Sequence, residues 1–165
     1  ELDRALELIP SGAGRSLEFN KNIPLLQILL GNFIAAATSI EQPPDGIERY
    51  RLLALNQYAL GFRAESDAAL AQLISAEGTP WGAFYAAEVH AYRGEGVSAL
   101  DWLGRIDFGA GCESLRLVQF VYYSPFLSKL TGMAEWEAYR SDLLQFMQAC
   151  SYGLDVHWEQ SFAVP

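Results

Sequence analysis

The stretch Thr79-Pro80-Trp81-Gly82-Ala83-Phe84-Tyr85-Ala86-Ala87-Glu88-Val89-His90-Ala91-Tyr92-Arg93-Gly94-Glu95-Gly96-Val97-Ser98-Ala99-Leu100-Asp101-Trp102-Leu103 decides the fold. Trp81, Phe84, Tyr85, Glu88 and Tyr92 recur at three- and four-residue steps, the period of a helix. Thr79 suits the N-cap, and Pro80 suits the first helical position, where a missing N–H is no loss. Gly94 supplies the left-handed residue that ends a helix. Val97, Leu100 and Leu103 then start a second helix. So short a connector makes the two helices antiparallel neighbours.

Working outward, the same punctuation returns. Gly61 and Gly94 are 33 residues apart, as are Pro10 and Pro43. Glycine closes a first helix and proline a second, so the unit is helix–turn–helix. Gly31 is followed five residues on by Ala36, and Gly94 by Ala99. A small residue there lets the paired helices approach, and Ile40 and Leu103 add a bulky apolar group one turn later. The apolar run Ile23–Ala37 is too short for a membrane span and is broken by Pro24, Gln27, Gly31 and Asn32. It reads as two buried helices joined at Gly31-Asn32. Trp136, Tyr139, Leu143, Phe146 and Cys150 mark one face of a long last helix. Clean β alternation is scarce throughout.

These features resemble the tetratricopeptide repeat: a small residue in the first helix, glycine at the turn, alanine and then a bulky apolar residue in the second, proline at the close. The resemblance implies an all-α helix–turn–helix solenoid with a C-terminal capping helix. Its units are 16–44, 45–79 and 80–112, followed by a helical cap over 113–150 and a tail over 151–165. The second unit departs from the pattern by a two-residue slip between Gly61 and Ala68, and Pro24 implies a kink or late start in the first. Arg4-Ala5-Leu6-Glu7-Leu8-Ile9-Pro10 looks like the close of a repeat. Residues 1–10 then form a half-repeat, and the chain reads as part of a longer protein. Ser124-Pro125-Phe126-Leu127 and Trp136-Glu137-Ala138-Tyr139 resemble the ends of bacterial multidomain regulators, where such repeats follow an output domain.

Composition narrows the function. The chain is 51% hydrophobic and carries 20 acidic against 11 basic residues, a formal charge of −9. That apolar content supports a folded core, and the charge opposes binding to nucleic acid or an anionic membrane. Cys112 and Cys150 stand far apart outside any CxxC pattern and read as two buried free thiols in a reducing, cytoplasmic setting.

Catalytic signals are thin. His90 lies inside a helix and reads as packed or hydrogen-bonded, while His157 reads as surface packing in an aromatic tail. Glu135 and Glu137 are two apart on a helix and face different directions. Ser11-Gly12-Ala13-Gly14 lacks the lysine of a phosphate loop. No metal, cofactor or catalytic role is expected.

The resemblance places the first helix of each unit along a concave groove. By position it implies a lining of Glu18, Lys21, Leu25, Ile28, Glu48, Arg51, Leu55, Tyr58, Trp81, Phe84, Glu88 and Tyr92. Lys21, Glu48, Arg51, Tyr58, Trp81, Phe84, Glu88 and Tyr92 are the expected partner-binding set, with packing between repeats as the competing role for Trp81, Phe84 and Tyr92. Aromatics and arginine are common interface anchors. A non-catalytic protein- or peptide-binding module is the expected function. A small-ligand sensor controlling an output domain is the alternative, and a helical piece of an enzyme stands behind both.

Overall fold

A computed structural model describes residues 17–40, 46–76, 78–109 and 112–151. Among them all regular structure is helical. The helices are α1 (Leu17–Leu29), α2 (Phe33–Ile40), α3 (Ile47–Ala59), α4 (Arg63–Ser75), α5 (Pro80–Arg93), α6 (Gly96–Gly104), α7 (Leu115–Tyr123) and α8 (Ala134–Ser151). Two 3₁₀ turns, η1 (Cys112–Ser114) and η2 (Leu127–Leu130), flank α7. The chain divides into two compact units, Glu1–Ser75 and Ala76–Pro165. The first holds α1–α4 and the second α5–α8.

One turn is built three times. Gly31, Gly61 and Gly94 all have positive φ (78°, 87° and 81°), a conformation that L side chains resist. Each glycine N–H donates back to the third residue before it: Gly31 to Ile28, Gly61 to Tyr58, Gly94 to Ala91, each at 3.1 Å. The next N–H reaches five residues back, to the carbonyl just before that acceptor: Asn32 to Gln27 at 2.8 Å, Phe62 to Gln57 at 2.9 Å, Glu95 to His90 at 2.9 Å. This closes the orphan carbonyls of the first helix. The following helix opens on the carbonyls of those last donors: Ala36, Ser66 and Ala99 donate to Asn32, Phe62 and Glu95. Three helical hairpins with the same turn result, so the fold is all-α and repeat-like.

The small residue five beyond each glycine is fully buried: Ala36, Ser66 and Ala99 each expose 0%. This corrects the slip expected in the second hairpin. Ser66, not Ala68, takes the small position, and its hydroxyl donates to the Ala54 carbonyl at 2.6 Å. The turn geometry sets the register, and a buried serine suffices once its hydroxyl has an acceptor. Val97 also differs from expectation, since it is 79% exposed, and α6 buries Ala99, Trp102 and Leu103 instead. Pro24 lies inside α1, which starts no later for it.

In the first unit α1 packs on α2, α3 on α4, and α2 on α3, so the two hairpins stack. Ile28, Ile40, Leu52, Leu55 and Leu73 are buried there. In the second unit α5 packs on α6 and on η2, and α7 on α8. Thr79 caps α5 as expected, accepting from the Gly82 N–H at 3.2 Å. The long last helix buries Trp136, Tyr139, Leu143 and Phe146, and the Tyr139 hydroxyl donates to the Leu103 carbonyl at 3.3 Å.

The cysteines correct the sequence reading. Cys112 and Cys150 form a disulfide with their Cα atoms 5.5 Å apart, tying η1 to the last turn of α8. They are neither free nor buried: Cys112 is exposed and Cys150 half-buried. A separation of 38 residues hid the pair, because the fold of α8 back onto α7 brings them together. No helix among the described residues is long and apolar enough to cross a membrane. The half-repeat 1–10, the loop Ser11–Gly14 and His157 lie outside the described residues.

Candidate functional site

Each unit carries part of the set expected to line a groove. In the first unit, Lys21 and Glu18 lie on α1, with side chains outside the described residues. Arg51 is buried and 5% exposed, while Glu48 and Tyr58 are half-buried. The Arg63 guanidinium of α4 lies 3.6 Å over the Tyr58 ring, a cation–π contact that covers one face of it. Leu55 and Ile28 are core, at 0% and 3% exposure. Leu25 is half-buried.

In the second unit, Trp81, Phe84, Glu88 and Tyr92 share one face of α5. The segment from α7 through η2 runs along that face. Phe120 meets Trp81 edge-on at 5.3 Å. Ser124 donates to a Glu88 carboxylate oxygen at 2.6 Å, a bond buried on both sides. Phe126 meets Tyr92 edge-on at 5.5 Å, and the Lys129 ammonium lies 4.1 Å over the Tyr92 ring. Positions 81, 88 and 92 therefore meet 120, 124 and 126 in the same order. Phe84 is 1% exposed and Glu88 3%. Trp81 and Tyr92 remain half-buried and keep surface in water.

Sequence reasoning did not single out Phe120, Arg116, Tyr85 or Lys129 as functional. Phe120 is 48% exposed, and its ring stacks against Trp81, which also meets Tyr85 at 6.0 Å. The Arg116 guanidinium stands 5.9 Å from the Phe120 ring centre. An aromatic–arginine surface is thus assembled from α5 and α7. The signal available was Arg116-x-x-x-Phe120, spaced to place both on one side of a helix.

The titratable groups stand in modest roles. His90 Nδ1 and a Glu95 carboxylate oxygen are 2.5 Å apart across the α5–α6 turn, so this histidine is hydrogen-bonded as expected. Glu135 and Glu137 are exposed in the first turn of α8, and Glu137 accepts from the Gly132 N–H at 3.3 Å. Burial pushes the Tyr139 phenol well above its ordinary value. Among the described residues no three of His, Cys, Asp and Glu gather as metal ligands would. No protein-family model, curated protein or solved structure matches the chain.

Proposed function

We propose that this chain is a non-catalytic, tetratricopeptide-type module that binds a protein or peptide, and that the surface around Phe120 makes part of the contact. The observation that carries this is the aromatic cluster on α5 and α7. Trp, Tyr and Arg dominate the energetics of protein interfaces, because they bury large areas and keep a polar handle. Leaving half the Phe120 ring in water forgoes roughly 1 kcal/mol, which a partner surface would recover. The three hairpins joined by the same turn support the repeat assignment. Of the residues first expected at the interface, Trp81 and Tyr92 in the second unit and Glu48 and Tyr58 in the first are the more accessible members.

The regulatory reading, as part of a larger bacterial protein, is carried by the resemblance near Ser124 and Trp136. The disulfide counts against the cytoplasmic location that reading needs, since such bonds persist in oxidising compartments. We therefore favour a binding module that works where thiols oxidise.

The test is retention of partner proteins by the immobilised chain, compared with Phe120→Ala and Arg116→Ala. Both substitutions alter exposed side chains, so far-UV circular dichroism should match the parent. A protein held by the parent and lost by both variants is the expected result. Equal retention by parent and variants would remove this surface from the reading, and no retained protein from any cellular extract would defeat the binding role itself.

A further inference from the structure

The α5–α6 turn, η2 and the residue before α8 border an open surface cleft of about 430 Å³ within the second unit. That volume is in the range of small-molecule sites, roughly 300–1,000 Å³. Val97, Leu130 and Met133 give it apolar walls. Its charged lining residues are Arg93 and Lys129, both cations, in a chain with 20 acids against 11 bases. The neighbouring acid, Glu95, is engaged with His90 instead.

Lys129 is set in place before any ligand arrives. Its ammonium donates to the Tyr92 carbonyl at 3.1 Å and lies over the Tyr92 ring, which Phe126 holds edge-on. An ammonium carries more donors than one carbonyl uses. Partial burial draws the Lys129 ammonium below its ordinary pKa, so an anionic partner would be worth more to it than to a fully hydrated lysine. Gly96 opens α6 with no side-chain cap, and the first N–H groups of a helix lack intrahelical acceptors. These donors and the helix dipole add the same sign of potential. Gly96 lies against the Met133 side chain: a Cβ there would stand 2.7 Å from its sulfur, so that flexible side chain would have to move aside.

We propose that this cleft binds a small carboxylate bearing a short hydrocarbon chain, with the carboxylate on Lys129 and the first turn of α6 and the chain against Val97, Leu130 and Met133. The Lys129 ammonium beside apolar walls suits one negative charge on an amphipathic molecule. None of Trp81, Tyr85, Arg116 and Phe120 lines this cleft.

The experiment is an amide ¹H–¹⁵N titration of the whole chain with hexanoate, hexanamide, acetate and inorganic phosphate. Hexanoate should shift the Gly94, Gly96 and Val97 signals and bind at least about tenfold more tightly than hexanamide or acetate. Lys129→Met should weaken hexanoate about tenfold, and Lys129→Arg should retain most of the affinity. Gly96→Ala should weaken it too, by displacing Met133 into the cleft; a dispersed spectrum checks that each variant is folded. Equal binding of hexanoate and hexanamide would overturn the proposal, as would unchanged affinity in Lys129→Met. Tighter binding of phosphate, or no shift at these amides, would do the same.

Discussion

Removing the Cys112–Cys150 bond should destabilise the second unit by a calculable amount. The bond closes a loop with a sequence separation of 38, spanning α7, η2 and most of α8. Chain-entropy arguments give about 4 kcal/mol at 25 °C for a loop of that length. A Cys112→Ser, Cys150→Ser double variant avoids a leftover thiol. Trp81, Trp102 and Trp136 all lie in the second unit, and the last two are nearly buried, so tryptophan emission reports on that unit. With a urea dependence near 2 kcal/mol per molar, the emission midpoint should fall by about 2 M relative to the oxidised parent. Adding a dithiol reductant to the parent should reproduce the shift. Two results would refute the reasoning. One is ready alkylation of both cysteines in the native, unreduced protein, which would restore the free-thiol reading. The other is a midpoint that does not move when the bond is removed, which would mean that α8 is held by its buried face alone.

Three further outcomes are expected. Ser66→Ala should cost no more than about 1 kcal/mol in urea titrations, because alanine already serves at the matching positions 36 and 99. Ser66→Leu should overpack the α3–α4 contact and cost about 1–3 kcal/mol or more. Thr79→Ala should lower the stability of the second unit by about 1 kcal/mol, read from thermal melts, and Thr79→Ser should restore most of it. Tyr139 holds its proton in the folded state beyond the pH, about 10, at which an unfolded chain releases it, so stability should be full below that pH and fall above it. Urea midpoints across the alkaline range should show that loss, and Tyr139→Phe should lessen it.

The hairpins were legible because their determinants are local. Gly31, Gly61 and Gly94 each require a left-handed backbone, and a residue without a side chain at the end of a helical period is a direct physical signal. The apparent slip at Gly61 shows the limit of matching by residue type. Ser66 is polar, and only the Ala54 carbonyl in the facing helix makes it suitable for the core. Counting from the glycine, rather than looking for alanine, would have found it. Val97 failed for the opposite reason: it has the right type and spacing, but in the first turn of a nine-residue helix it stays 79% exposed, and Ala99, Trp102 and Leu103 take the buried face.

The site was less legible, because it depends on which segment returns to cover α5. The helical period places Trp81, Phe84, Glu88 and Tyr92 together, either lining a groove or, for the three aromatics, packing between repeats. What the period cannot encode is that residues 120–129 come back along that face in matching order. The Glu88–Ser124 bond is the clearest case. Glu88 is expected at a partner-binding groove, yet it is 3% exposed and takes a hydroxyl from 36 residues away. An unpaired carboxylate could not stay there, since burial without a donor would cost more than the packing returns. Ser124 therefore does two things. It donates to one Glu88 oxygen, and its own oxygen accepts from the Leu127 N–H at 3.3 Å, which starts η2 and delivers Lys129 to Tyr92. The contact that closes one face of α5 thus also builds the cation at the mouth of the cleft. Packing and binding surface are in this unit products of the same turn.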